Sequence, residues 1–309
     1  MGARGFGRVA AVSLLLVTAS ACDGGPSDGA SAGGRTPSGS VTSGDPSPTG
    51  APDPTPSGPA TAADFDPGRF GHSTSIDNGF LPLRPGTRYV YRGSSLDGKR
   101  RLPHRVEFTV TDLTKEIDGV RAVVVYDLDY TQGELEEAEL TFFAQDDDGN
   151  VWHLGQYSEL WEGREWLGGR VFFQGTEGAR AGIMMQADPR SGTPGYSEGF
   201  APPPWFWADR ARVFKVDQTT CVPTRCYDGV LVTDEFAKGE EGDQLKFYAP
   251  GVGVVRVGWL GADEPEKESL VLAELEHLGP KALAAVRAEA LELEKRAYLY
   301  SLTPPAERG

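Results

Sequence analysis

Cysteine, histidine and positive charge are all scarce in this chain, and each shortage excludes something. Among 309 residues there are three Cys and four His. His72, His104, His153 and His277 are scattered, and no two have the spacing that puts metal ligands on one helix face. A zinc centre needs several His or Cys close together, so no metal and no other cofactor is expected. Lys and Arg number 30 against 45 acidic residues, a formal charge of −15. Nucleic acid demands a basic footprint, and anionic lipid headgroups attract basic segments, so neither partner is expected through charge. No apolar run reaches the ~20 residues needed to span a bilayer as a helix.

What is present begins with an export signal. Arg4 and Arg8 precede an apolar stretch, Val9 to Thr18, broken only by Ser13, and small residues Ala19, Ser20 and Ala21 lead into Cys22. A charged start, a short apolar core and small residues before a cleavage point make a secretory leader. Ala19-Ser20-Ala21-Cys22 resembles the bacterial lipobox, with Ala19 where Leu is more usual. That resemblance implies a diacylglyceryl group on the sulfur of Cys22. Two or more chains anchor a protein stably at ~0.8 kcal/mol per buried methylene. The membrane partner is then reached through Cys22, on the outer face of the cytoplasmic membrane. Removing Arg4 and Arg8 with the leader leaves 28 basic residues against 45 acidic ones, a balance that also keeps an exported protein soluble.

Residues 23–63 read as a disordered tether of Gly, Ser, Thr, Pro, Ala and Asp, without an aromatic and with Val41 as the one large aliphatic residue. Such a segment cannot bury enough apolar surface to offset its ordering entropy. Fully extended it would reach about 120 Å. Its composition is similar to that of actinobacterial lipoprotein tethers. Residues 64–309 form the remaining unit, one β-rich extracytoplasmic domain.

Strand signals dominate that domain. Val106, Phe108 and Val110 alternate with Arg105, Glu107 and Thr109, the period of a sheet. Val120 to Leu128 is nearly continuous and β-branched, as in a strand covered on both faces. Leu140 to Ala144 and Val151 to Leu154 flank an Asp-rich turn with Asp148-Gly149. Leu245 to Phe247, Val252 to Val254 and Leu270 to Leu278 read as further strands. Cys221 and Cys226 enclose a turn between apolar stretches, so they read as a disulfide near a hairpin tip, suited to an oxidising compartment. At the end, Leu283, Val286, Ala290, Leu293, Ala297 and Tyr300 recur at spacings of three and four and predict a helix over about 280–302. The expected fold is mainly β: an antiparallel curved sheet, half-barrel or sandwich, with the C-terminal helix packed across it.

Several blocks resemble a family of exported bacterial proteins and lipoproteins with no known activity. They are Phe80-Leu81-Pro82-Leu83-Arg84-Pro85-Gly86-Thr87, Ala144-Gln145-Asp146 with Gly149-Asn150-Val151-Trp152, Ala181-Gly182-Ile183-Met184-Met185, and Tyr248-Ala249-Pro250-Gly251-Val252-Gly253. They span residues 76–260. Ser191 to Trp207 departs from the family pattern. The resemblance implies export and assigns no reaction.

Motif matches to chemistry fail on context. Gly195-Tyr196-Ser197-Glu198-Gly199 fits a nucleophile elbow, but Pro202-Pro203-Pro204 forbids the helix that must follow. Gly93 to Arg100 nearly fits a phosphate loop, but Arg100 replaces the metal-binding hydroxyl and Pro103 blocks the helix. Asp146, Asp147 and Asp148 lack the ligand alternation of a calcium loop and read as a solvated hairpin tip. Glu134, Glu137, Glu159 and Glu162 offer carboxylate pairs of the kind a glycosidase needs. No catalytic residue is assigned. Aromatics are the least ordinary feature, and Trp152, Trp161, Trp205, Phe206 and Trp207 are the candidate ligand-binding rings. The expected function is non-enzymatic binding of an apolar ligand or a cell-envelope partner, with lipid, glycan and envelope protein as ligand classes. A glycan hydrolase on the cell surface is the alternative.

Overall fold

The computed structural model describes residues 64–97, 100–204, 207–236, 243–260 and 268–309. The leader, Cys22, the tether, Trp205 and Phe206 lie outside the described residues. No described helix is long and apolar enough to cross a membrane.

The chain forms a mainly antiparallel sheet and one helix, as expected. The strands in chain order are β1 (Thr87–Asp97), β2 (Arg100–Ile117), β3 (Val120–Thr131), β4 (Glu134–Gln145), β5 (Val151–Glu162), β6 (Glu165–Phe173), β7 (Arg180–Met185), β8 (Tyr196–Ser197), β9 (Gly199–Phe200), β10 (Arg210–Val222), β11 (Arg225–Phe236), β12 (Asp243–Ala249), β13 (Gly253–Leu260) and β14 (Ser269–His277). Helix α1 (Pro280–Glu294) and the short β15 (Glu307–Arg308) follow. Most neighbours are joined by hairpins, because tight turns suit the local sequence. Asp118-Gly119 and Gln132-Gly133 each place two successive residues at positive φ, the backbone of a two-residue hairpin turn.

Sheet order runs β8-β10-β11-β12-β13-β14-β1-β2-β3-β4-β5-β7-β9, with β6 on β5 and β15 on β2. The first and last members, β8 and β9, are separated only by Glu198. Ser197 and Tyr196 pair with Arg210 and Ala211, while Gly199 and Phe200 pair with Ala181 and Arg180. The sheet is therefore rolled, and both of its ends return to residues 196–200. Gly182 permits this: a Cβ there would stand 2.2 Å from the carbonyl carbon of Glu198.

Among the described residues rolling creates two large apolar cores and a small third one of Phe172, Ala179, Ala201 and Trp207. Inside, Tyr89, Tyr91, Val106, Phe108, Val123 and Phe143 pack with residues of β10 to β14, and Ile76, Leu81 and Leu83 plug one end. Outside, Leu140, Phe142, Leu154 and Phe173 pack under Ala290, Leu293 and Ala297. Each buried Leu or Phe contributes roughly 1.5–3 kcal/mol. This double cover explains why Val120–Thr131 lacks strict alternation.

The helix and the turn that follows it are fastened by charge as well. Arg287 donates to both oxygens of Asp112 on β2 (2.7 and 2.6 Å), and Arg296 to both oxygens of Glu159 on β5 (2.8 and 2.9 Å). The helix ends at Glu294, short of the predicted 302. There the carboxylate is buried, accepting from Lys115 Nζ at 2.7 Å and from the Ala306 amide at 3.0 Å, so the chain folds back in tight turns.

The Asp-rich turn also differs in part from expectation. Its tip is solvated as expected, with Asp147 and Asp148 exposed, but Asp146 is not. Asp146 is buried and accepts from the amides of Asp148 and Asn150 and from Trp152 Nε1 at 2.8 Å. Asp147 accepts from the Gly71 amide, and Asp148 pairs with Arg69. These bonds dock the segment that leads into the plug. Cys221 and Cys226 face each other across β10 and β11 and are disulfide-bonded, as expected.

Candidate functional site

The inner face of the roll changes character along its length. On β3 the inward series Val123, Val125 continues into Asp127 and Asp129. On β4 it runs Phe143, Thr141, Glu139, Glu137. Antiparallel register sets Asp127 directly opposite Glu139 and Asp129 directly opposite Glu137. All four are at most 5 % exposed. Like charges in direct cross-strand opposition destabilise a sheet, and burial enlarges that cost.

The adjoining strands complete this acidic wall. His104 continues the inward series Phe108, Val106 on β2, and Glu268 precedes inward Leu270 on β14. His104 Nε2 lies 2.6 Å from Asp129 Oδ1, and Nδ1 lies 3.1 Å from Glu268 Oε1. Glu139 accepts from Thr141 Oγ1 at 2.8 Å and from Gln156 Nε2 at 3.3 Å. Among the described residues neither oxygen of Asp127 has a hydrogen bond of normal geometry, and the neighbouring Leu128 amide lowers its carboxyl only slightly against burial.

Burial raises the Asp127 carboxyl far above the usual carboxylate range, and Asp129 and Glu137 add to the effect. Asp129 is raised by burial and then by Glu136. Glu268 is raised by burial, with Asp129, Glu136 and Asp127 contributing. Burial lowers His104 to about 4, opposed by Glu136. Burial therefore favours the protonated form of these carboxyls.

A second buried polar group faces the roll from the other side. Lys246 on β12 pairs with Glu235 on β11, near Glu198 of the closing segment. Glu198 is raised by burial and by Glu235. Burial opposes the charge of Lys246, but Glu235 and Glu198 prevail and hold it above its ordinary value. This group carries its own cation.

Trp152, Trp161 and Trp207, the described rings among those singled out from sequence, are not gathered at one place. Trp152 belongs to the outer core, 2 % exposed, with Phe65 and Phe70 at 5.8 and 5.9 Å. Trp207 is 4 % exposed, stacked on Phe172 at 4.7 Å with His153 edge-on at 5.1 Å. Trp161 is half-buried and pairs with exposed Trp166 near the β5–β6 turn. Of the four candidate carboxylates, Glu137 faces inward. Glu159 faces outward to Arg296, and Glu134 and Glu162 are exposed at hairpin ends. Ser197 lies in β8 with no helix after it, so the elbow match is accidental.

Among the described residues, no group of three or more His, Cys, Asp or Glu is positioned to hold a metal ion. A surface pocket of about 380 Å³ lies at the seam of the roll, lined by Phe65, Gln174, Arg180, Ser197, Phe200 and Arg210 among others. It is separate from the acidic wall.

No protein-family model matches the chain, and no curated protein does. Two solved structures share a distant likeness, each at 12 % identity over 64 % of this chain and 99 % of the other. One is a Bacteroides fragilis protein assigned as exported with a YmcC-like fold, at a TM-score of 0.38. The other is a Parabacteroides distasonis protein assigned as a lipoprotein, at 0.36.

Proposed function

We propose that this protein is an extracytoplasmic, lipid-anchored, non-enzymatic binding protein whose ligand occupies the acid-lined half of the rolled sheet. The leader, Cys22 and the single disulfide support the location. One observation carries the binding site: Asp127 against Glu139 and Asp129 against Glu137, buried side by side in a sheet that would be more stable without them. Groups that break local rules at a cost to stability mark functional sites. Ile76, Leu81 and Leu83 pack in the apolar half, so the polar groups of a ligand would be held in the acid-lined half. Of the classes expected from sequence, an envelope ligand with charged or hydrogen-bonding groups suits this wall, and a purely apolar one does not.

The test uses the mature chain carrying Cys22→Ser, produced by export. Release of this variant into the medium is expected, and retention on membranes would remove the lipid anchor. Native mass spectrometry of the released protein should show a mass increment that disappears on denaturation. A bare mass throughout would sink the binding reading.

The hydrolase alternative rests on the same wall. A carboxyl raised by burial, as Asp129 is, opposite a second one such as Glu137 is what acid catalysis of glycoside cleavage requires. Release of soluble sugar from cell-wall glycan, abolished by Asp129→Asn, would replace binding by turnover.

A further inference from the structure

We infer that the pocket at the seam of the roll binds a phosphate monoester, its phosphoryl group held between Arg180 of β7 and Arg210 of β10. This site lies apart from the acid-lined wall and takes a ligand of opposite charge, so it stands independently of the reading above.

Register brings the two guanidinium groups to one place. Arg180 is directly opposite Phe200 of β9, and Arg210 is directly opposite Ser197 of β8. Opposite residues of an antiparallel pair share a face, so each Arg extends beside the closing segment, one from either end of the rolled sheet. Ser197 and Phe200 are at most about 10 Å apart along that segment, a gap across which two long side chains can converge. Both Arg line the same pocket of about 380 Å³, with Phe65 and Phe200 among its walls. Arg180 stands 5.5 Å from the centre of the Phe200 ring, a cation–π contact that positions the guanidinium without using its N–H donors.

The donors left free in this lining are cationic. Gln174 already donates to Asp118 and accepts from the Ala181 amide, and the Ser197 hydroxyl is already bonded to the Gly199 backbone. Among the described residues neither Arg180 nor Arg210 has an ion pair or a side-chain hydrogen bond. That is unexpected in a chain where 45 acidic residues face 30 basic ones. Asp64, the acid in the lining, is exposed and pairs with neither.

The donor set selects the anion. A carboxylate has two oxygens, which one arginine fork satisfies by itself. A phosphoryl group has three terminal oxygens and nearly two charges, so it engages both forks at once. The pocket has the volume of an organic ligand rather than of a bare ion, and Phe65 and Phe200 offer apolar walls to the remainder of an ester. The bound group then ties β7 to β10 across a joint that β8 and β9 each hold by two residue pairs.

The test titrates the mature Cys22→Ser protein calorimetrically with phenyl phosphate and with benzoate. Salt at about 0.15 M screens repulsion from the acidic surface. Phenyl phosphate is expected to bind at least about tenfold more tightly than benzoate, because it engages a second charged donor. Arg180→Gln and Arg210→Gln should each weaken it at least about tenfold. Arg164→Gln, at the end of β5 remote from β7, should leave it unchanged. Melting temperatures check that the variants fold, and the protein with both Arg intact supplies a second readout. There phenyl phosphate should slow hydrogen exchange at the Glu198 and Ala201 amides, which bond to the Asp209 and Trp207 carbonyls across the seam. Equal affinity for benzoate, equal weakening by Arg164→Gln, or unchanged exchange at the seam would each overturn the proposal. Vesicles of equal parts phosphatidylcholine and phosphatidic acid distinguish the source of the phosphate. Co-sedimentation that Arg210→Gln abolishes supports a lipid headgroup, and phenyl phosphate binding without co-sedimentation supports a free phosphate ester. Neither binding nor co-sedimentation would discard the site and leave the acid-lined wall untouched.

Discussion

His104 Nε2 stands 2.6 Å from Asp129 Oδ1, and the opposite nitrogen of the same ring faces Glu268 at 3.1 Å. A neutral imidazole has one donor and one acceptor, so one of the two carboxyls must keep its proton to complete both contacts. The alternative is an imidazolium between two carboxylates. Both arrangements hold the same protons and the same net charge of the trio, and they differ only in where one proton sits. Burial favours the neutral ring, in line with its depression to about 4. The acids around it then titrate as a unit rather than one by one.

Stability should fall as pH rises from mildly acidic to alkaline. Asp127, Asp129, Glu198 and Glu268 all have raised folded-state values, from burial first, and Asp234 is raised to about 6 by burial against the pull of Arg212. A raised acid binds more protons folded than unfolded. Its contribution is therefore full below the ordinary carboxylate value and is lost as pH rises through the raised value. His104 and His153, depressed by burial to about 4 and about 3, act oppositely, costing stability as pH falls below their ordinary value of 6.5. The acids outnumber them, and above 6.5 the two His no longer oppose the acids. Thermal melts across pH 5 to 8, round values that bracket these transitions, should give a higher Tm at the acidic end. A maximum at or above neutrality would contradict the raised carboxyls.

Gly182→Ala should open the seam. Its new Cβ would lie 2.2 Å from Glu198 backbone carbon and 2.3 Å from the Gly199 nitrogen, and backbone cannot swing aside as a side chain can. Overpacking of this kind costs about 1–3 kcal/mol or more. Hydrogen exchange should quicken at Glu198, Ala201 and Trp207, whose amides bond across the closing segment, before it quickens at β2 or β3. Uniform exchange across the domain would show that residues 196–200 do not close the roll.

Glu294→Ala should free the C-terminus. Glu294 holds buried Lys115 and the Ala306 amide together, and Lys115 also donates to the Pro304 carbonyl at 2.6 Å. Removing one partner strands the other charge in the interior, a loss of about 3–5 kcal/mol. Limited proteolysis should then cut beyond residue 294 while the sheet survives. Replacing both Lys115 and Glu294 by Met should recover much of the loss, and failure of that rescue would show that the pair matters through more than its charge.

Reduction of Cys221–Cys226 should lower the melting temperature without unfolding the domain. The closed loop is short, so the chain-entropy contribution is about 2 kcal/mol. The pair is also already in register across β10 and β11. Melts with and without reductant measure the difference, and an unchanged curve would mean that the bond does not constrain the unfolded chain.

By itself the sequence determined the elements whose signals are local. Alternation marked β2, uninterrupted β-branched residues marked β3, Asp148-Gly149 and the two Cys marked hairpins, and spacings of three and four placed the start of α1. Local signals could not show which face of each strand looks inward, because both faces of β3 are covered and apolar residues occupy both. Nothing local therefore singles out Asp127 and Asp129 as a site, although their two-residue spacing from Val125 puts them on one face. The closing strands β8 and β9, two residues each, are too short to have a period, so the sheet's return on itself was illegible. The end of α1 was decided by Lys115, nearly 180 positions away, and the burial of Trp152 and Trp207 by partners in other strands. Only the tertiary structure could make these choices, since each depends on residues that meet when the sheet rolls and buries charge against charge.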